Sequence, residues 1–413
     1  MKRRQLLKQT ALLTASGLTA IGTHGWAWRQ PAKAAISAND PRLIVVFLRG
    51  AADGLNIVVP YQEDEYYAAR PSIAIAPPGQ ATNQSEAALD LDGQFGLHPA
   101  LQPLMASWQA KDLAFVHASG SSVLSRSHFQ AQDYMESGTP GTSSSNPTGW
   151  LNRLMAFLPN GTPTQAVNIG TNLPLIFSGT EAVANLAVGR AGNRPLPIDR
   201  PQIQTAFDQL YANDPRLSRV YNEGRTARDI LITELDEENM AASRGAPTPQ
   251  RFATSARYLA RLMSGDAATQ VAFMQVGDWD THINQKGRLM RNLRALGDGL
   301  ATLKDSLGPV YNNTTIVVLS EFGRTVAENG NGGTDHGYGN AMWLLGGRVK
   351  GGQVYGEWPG VGPNEQFESR DLDITTDYRD VLMSLFEQQF SLDGSALAEI
   401  FPNHHRQRNL NLV

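Results

Sequence analysis

The chain has 413 residues, of which 18% are charged, a formal net charge of −4 and no cysteine. That length holds a sizeable core in one large domain or two smaller ones. The lack of thiols excludes disulfides, thiolate metal sites, a cysteine nucleophile and a lipid-modified N-terminal cysteine, and the composition excludes a disordered chain.

Residues 1–34 read as a leader. "MKRRQLLKQT" carries Arg3-Arg4 and Lys8, "ALLTASGLTAI" is a short apolar stretch, and Ala32-x-Ala34 is a small-residue cleavage pattern. This is the pattern of a twin-arginine signal peptide. The apolar stretch is too short and too polar for a membrane anchor, which needs about 20 apolar residues, and no later segment looks membrane-spanning. The expectation is a periplasmic or extracellular protein that meets the twin-arginine translocase during export. That route carries folded proteins, often with a metal already loaded. Removing the leader takes away six Lys and Arg and no acid, leaving 29 cations against 39 acids, a charge of −10. Phosphate contacts need a basic face, so no nucleic-acid partner is expected.

The remaining chain, 41–413, alternates strand and helix patterns. Leu43–Leu48 is a continuous apolar strand running into a Gly-rich turn with Asp53. "HPALQPLMASW" (98–108) has helical spacing. "DLAFVHASG" from 112 is a strand, followed by the Ser-rich loop "SSVLSRS" and a helix from 127 with Ser127 as N-cap. The stretch 150–265 reads as a mainly helical insertion, with short strands near Gln165–Gly170 and Leu173–Phe177 and a long polar-faced helix pattern over 214–243. "VAFMQVGDWDTH" (271–282) is a buried strand ending in two acids and a histidine. Residues 286–308 form an amphipathic helix, "TTIVVLSEFG" is a strand with Glu321 at its tip, and "AMWLLGG" is another strand. Alternation of this kind predicts an α/β fold with a mainly parallel sheet flanked by helices, and such sheets bind ligands at the carboxyl ends of their strands.

The polar residues gather at those ends: Asp53, Asp280, His282, Glu321, Asp335 and His336, with Asp278 nearby. Carboxylates and imidazoles without cysteine suit a divalent metal, zinc or manganese above others. A two-ion site would clamp a phosphate or sulfate ester and activate a nucleophile. Each residue also has a plainer reading: Asp53 as a turn residue, Asp280 as a cap, Glu321 as the partner of Arg324, and Asp335-His336 as loop polar groups. His98 and His117 read as hydrogen-bonded structural histidines, and His404 and His405 as solvated residues of a polar tail. The Ser-rich loop opens a helix whose first N–H groups favour an anion, and Arg126 there suits a phosphate or sulfate oxygen pair. A loop that only caps the helix is the alternative.

Several stretches together resemble one family of exported bacterial proteins, the domain-of-unknown-function 1501 family: "FLRGAADGLNIVVPY", "GLHPALQPLM", "SRSHFQAQDYMESG", "DWDTHINQ", "SEFGRT" and "TDHGYGN…GGRVKGGQVYG". The likeness runs from Leu43 to Gly356 and more loosely beyond. The family is similar in fold to the alkaline phosphatase and sulfatase superfamily, which implies two metals at the ends of a mixed sheet. By that resemblance Asp53, Asp280, His282, Glu321, Asp335 and His336 stand at metal positions. Asp278 stands where many relatives have Gly. "SVLSR" is similar to the sulfatase pattern Ser-x-Pro-Ser-Arg, with Leu124 in place of proline, which makes Ser122 a nucleophile candidate beside Arg126. Ser127, in the family's Ser-His with His128, is an equal candidate, and Ser125 ranks below them.

The expected function is an exported metal-dependent hydrolase of phosphate or sulfate esters, acting on a small-molecule or glycan ester. The alternative is a secreted, non-catalytic binding protein on the same fold. Export gives the first testable expectation. Replacing Arg3-Arg4 by Lys-Lys keeps the charge but not the receptor-read signal. Precursor should then accumulate in the cytoplasm on fractionation; normal export of that variant would remove the twin-arginine assignment.

Overall fold

The computed structural model describes residues 36–413 except 38, 82, 84–85, 141–147, 160–161, 171, 187–200, 212–213, 215, 223–250 and 266–268. The leader, and the polar helix pattern beyond residue 222, lie outside the described residues. Among the described residues no helix is long and apolar enough to cross a membrane.

The strands are β1 (Arg42–Leu48), β2 (Val58–Val59), β3 (Leu89–Asp90), β4 (Gly96–Leu97), β5 (Leu113–Gly120), β6 (Ala166–Ile169), β7 (Ala184–Leu186), β8 (Val271–Val276), β9 (Thr314–Ser320), β10 (Asn340–Gly346), β11 (Gln353–Tyr355) and β12 (Thr376–Asp377). The main sheet runs β11-β5-β10-β9-β1-β8-β6-β7, with β12 beside β5; β2, β4 and β3 form a small second sheet. Among the described residues only β10 runs against its neighbours in the main sheet. The fold is therefore the mixed, mainly parallel α/β sheet that the alternating pattern predicts.

The continuous apolar runs have a simple cause, since a central parallel strand is covered on both faces. In β1, Ile44, Val46 and Leu48 face a core built with the helices Arg251–Ser264 and Gln285–Leu307. Leu43, Val45 and Phe47 face the opposite core, with the helices Trp150–Met155 and Tyr378–Phe390. β1 lies between β8 and β9, and Leu48 pairs with Val276 on one side and Ser320 on the other. The three strands thus end level. Their following loops, which carry Asp53, Asp280-Thr281-His282 and Glu321, open onto the same edge.

Some local expectations change. Residues 98–108 are a 3-10 turn, Pro99–Leu104, followed by a short α-helix, Met105–Gln109; Pro103 cannot donate to a helical ladder. Leu175–Phe177, expected as a strand, is a 3-10 turn. The stretch 150–265 contributes β6 and β7 to the sheet edge alongside its helices. Ser127 precedes the helix His128–Ser137, but its side chain makes no capping bond. His404 is not solvated: its side chain is 8% exposed and its Nε2 lies 2.6 Å from Asp380 Oδ1. The other Asp380 oxygen accepts from the N–H groups of Gln407 and Arg408, which ties the tail to the body.

His98 and His117 are structural, each 1% exposed. His98 Nδ1 accepts from the Ala100 N–H, and His117 Nε2 donates to the Val58 carbonyl. Burial pushes His98 down to about 3 and His117 down to about 4. An unfolded histidine titrates near 6.5. Between those values the unfolded chain binds protons that the folded chain does not, so stability falls as pH falls below the unfolded value. Each histidine contributes a slope of about 1.4 kcal/mol per pH unit in that window. Urea unfolding of chelator-treated protein at several pH values checks this. His98→Asn, which keeps a cap acceptor, should flatten the slope by one histidine's share, and an unchanged slope would contradict the neutral buried His98.

Candidate metal centre

Three imidazoles meet at the sheet edge. His128 is the first residue of the helix His128–Ser137, His282 follows β8, and His336 lies in the loop between β9 and β10. Each has its Nδ1 committed to an oxygen acceptor. His128 Nδ1 faces Glu321 Oε1 at 2.8 Å, His282 Nδ1 faces Asp335 Oδ1 at 3.0 Å, and His336 Nδ1 faces the Arg126 carbonyl at 2.9 Å. Carboxylates and carbonyls only accept, so Nδ1 carries the proton in all three rings, and in a neutral ring Nε2 then presents a lone pair.

Those three Nε2 atoms converge with Asp280. His282 Nε2 lies 3.0 Å from both His336 Nε2 and Asp280 Oδ1. His336 Nε2 is 3.4 Å from Asp280 Oδ1, and His128 Nε2 is 3.7 Å from Asp280 Oδ2. Donor atoms of His128, Asp280 and His336 all lie within 4.8 Å of one another. Among the described residues, His128 Nε2 is buried and has no hydrogen-bond partner. Lone pairs this close favour a shared cation, and an orphaned buried acceptor favours a partner. The compact set is His128, His336 and Asp280; His282, close to the last two, would make it three nitrogens and one oxygen, which fits zinc or a similar first-row ion. The outer acceptors Glu321, Asp335 and the Arg126 carbonyl fix ring orientation, as outer partners of metal-bound histidines do.

The electrostatics keep these groups in the ligating form. Burial lowers the His336 imidazole and so favours its neutral state, against the Arg126 hydrogen bond. Burial raises the Asp280 carboxyl, but the hydrogen bond and charge of Arg324 more than reverse it, and Asp280 titrates low. Burial likewise raises Glu321, and hydrogen bonds from His128, Gln132 and the Gly50 N–H pull it below the ordinary range. The Asn329 and His282 hydrogen bonds, against some burial, hold Asp335 low as well.

Close approach makes the arrangement possible. Gly50 sits at φ +115°, and a Cβ there would lie 2.7 Å from the Asp280 backbone nitrogen. A Cβ on Gly333 would meet the His282 carbonyl at 2.3 Å, which is why the Asn/Gly-rich loop can fold over the strand tips. The Phe322 ring lies under His128 and His336, with centroids 5.0 and 5.1 Å away. The side chains of Asp280 and His282 remain 46% and 40% exposed, so a ligand can reach the centre.

Several expected roles shift. Asp53, expected as a metal ligand, is fully buried and bound by Arg70, at 2.6 Å from Nη1 to Oδ2 and 3.1 Å from Nη2 to Oδ1. Glu321 and Asp335, also expected as ligands, face the Nδ1 atoms of His128 and His282. His128, expected beside the nucleophile, supplies a donor atom. Arg324 does not pair with Glu321; its Nη2 reaches Asp280 Oδ1 at 2.6 Å. Asp278 has a left-handed backbone, φ 71°, where a Gly is favoured, and its carboxylate clamps Arg288 at 2.6 Å. Ser122 Oγ accepts from Arg379 Nη2 at 2.9 Å, while Arg126 is held by Glu368 and Asp371 at 2.8 and 2.7 Å. Ser127 stands between the residue that holds His336 and His128 itself; among the described residues its exposed hydroxyl has no partner. Arg70 carried no sequence signal, because its partner lies 17 residues away on another loop.

The structure thus defines an α/β protein with a candidate metal centre at the carboxyl edge of its sheet. Residues 40–401 match the family described as "Protein of unknown function (DUF1501)", and the chain belongs to it. No curated protein matches the chain. Among solved structures, Ps i-CgsB in complex with k-i-k-neocarrahexaose aligns with a TM-score of 0.36 and 11% identity, over 87% of this chain and 74% of that one. The C-terminal periplasmic domain of EcEptC from Escherichia coli, in complex with Zn, aligns at 0.33 and 10%, over 76% and 75%. A protein in the alkaline phosphatase superfamily from Vibrio parahaemolyticus aligns at 0.35 and 11%, over 94% and 75%. At these TM-scores the likeness says nothing about chemistry, which rests on the geometry of the site.

Outer-acceptor changes separate the layers of this centre. Glu321→Gln and Asp335→Asn should each weaken zinc binding by about 10- to 100-fold, and His336→Ala, which removes a donor, should weaken it further. Chelator competition checks this; an unchanged affinity in all three variants would contradict the centre.

Proposed function

We propose that the protein is an exported, metal-dependent hydrolase of phosphate or sulfate esters, on small-molecule or glycan substrates. The observation that carries this reading is the meeting of the His128, His282 and His336 Nε2 atoms with Asp280, with exposed Ser127 directly preceding His128. A divalent ion held by these residues supplies a Lewis acid for a phosphoryl or sulfuryl oxygen. The other parts belong to the chain. Glu321, Asp335 and the Arg126 carbonyl keep the Nδ1 protons in place, so the three rings present donors without rearrangement. Ser127 lies at the start of a ten-residue helix, whose first N–H groups favour an anionic ester. Its Oγ is the nucleophile this arrangement favours: it gives its proton to solvent water and forms a bond to phosphorus or sulfur, the ester oxygen leaves and takes a proton from water, and a second water then releases the group and returns a proton to the serine. Ser122, engaged by Arg379, is less suited. The acidic mature chain and the twin-arginine leader support a periplasmic or extracellular site of action, reached through the translocase.

The test is hydrolysis of an aryl phosphate and an aryl sulfate by zinc- or manganese-loaded protein. One of the two should be turned over, and Ser127→Ala should lower the rate on the order of 1000-fold while bound metal stays unchanged. Full activity in Ser127→Ala would remove the serine mechanism. Stoichiometric metal without hydrolysis of either ester would favour the non-catalytic binding protein.

A further inference from the structure

We infer that the centre takes one divalent ion and not two, because the chain itself supplies the positive charge that a second ion would bring to Asp53. The inference rests on the metal reading of the three histidines, and it departs from the two-ion arrangement that the resemblance implies.

A second ion in a hydrolytic pair sits about 3.5–4 Å from the first and needs carboxylate oxygens of its own. Asp53, the residue placed for it by the strand order, has none to offer. Its Oδ1 accepts from Arg70 Nη2, and its Oδ2 accepts from Arg70 Nη1 and Gln285 Nε2. Both side chains of the Asp53–Arg70 pair are 0% exposed. The guanidinium is equally committed: Nε donates to the Val326 carbonyl, Nη1 also to Asn56 Oδ1, and Nη2 also to the Thr325 carbonyl. All five of its N–H groups are therefore used in a rigid fork. An ion displacing Arg70 would strand a buried cation and its donors.

Glu321 offers no alternative. Its side chain is 0% exposed, its Oε1 accepts from the Gly50 N–H, His128 and Gln132, and its Oε2 lies 3.0 Å from the Ser320 hydroxyl, which donates to the Leu48 carbonyl at 2.6 Å. Arg324 fills the ground between the β1 tip and the histidines. It donates to the Gly50, Ala51, Trp279 and Thr334 carbonyls as well as to Asp280, with its side chain fully buried. Asp335 lies on the Nδ1 side of His282, with its Oδ1 taken by that ring and Asn329, so facing the Nε2 atoms there remain three imidazole nitrogens and Asp280, a donor set for a single four-coordinate ion.

The experiment loads the full chain with excess zinc, removes the unbound metal and measures zinc per chain. The expected value is one, with a single step in a calorimetric zinc titration. A cobalt-loaded sample should show the magnetic resonance of isolated ions rather than of a coupled pair. Asp53→Asn, if folded by circular dichroism, should still bind one ion with affinity within about threefold of the parent. Two ions per chain, or a coupled cobalt pair, would overturn this inference and leave the metal reading standing. Loss of the ion in folded Asp53→Asn would overturn it too. No bound ion at all would remove both. Should Asp53→Asn not fold, the zinc count and the cobalt spectrum of the parent chain decide alone.

Discussion

A neutral imidazole holds one proton, so a ring that donates from Nδ1 must present a lone pair at Nε2. This chain imposes that condition three times within one small volume, through Glu321 on His128, Asp335 on His282 and the Arg126 carbonyl on His336. The consequence follows from electrostatics alone. Lone pairs crowded beside a carboxylate favour a cation among them, and the Arg324 guanidinium on Asp280 supplies only part of that charge. The placement of the loops, the glycines that let them touch and the aromatic floor of Phe322 all serve that convergence.

The sheet makes the convergence possible. Because β8, β1 and β9 are parallel and end in register, their loops leave at one level, and no bend is needed to bring Asp280, His282 and Glu321 to the same edge. The cost of such an edge is a concentration of carboxylates. Arg70 and Arg324 answer it as buried guanidinium groups with their donors spent on carbonyls and acids. Buried ion pairs of this kind add little net stability but are costly to break. Their effect here is to hold Asp53 and Asp280 in one geometry each, which separates an inert carboxylate from one that faces the histidines.

Much of the fold was legible because central parallel strands leave a strong mark. Leu43–Leu48 and Thr314–Ser320 are buried end to end and Val271–Met274 is buried before Gln275 surfaces, so each reads as a mainly apolar run. The helix Gln285–Leu307 showed one apolar face. Two-residue strands such as Val58–Val59 leave no periodicity to read, and Pro103 hid a 3-10 turn behind helical spacing. At the site, strand ends pointed to Asp280, His282 and His336. They could not rank the acids, because an acid that binds a metal and an acid that orients a histidine look alike in a sequence. His128 was read through its serine neighbour rather than as a donor. Arg70, set against Asp53 by a turn of the chain, had no motif to announce it.

The central claim is that three imidazole nitrogens and one carboxylate oxygen hold a single ion. X-ray absorption at the zinc edge of the zinc-loaded protein tests it most directly, because outer-shell scattering counts imidazole rings independently of activity. The account predicts a first shell of nitrogen and oxygen near 2.0–2.1 Å with scattering from three imidazoles. A shell with one imidazole or none would contradict it.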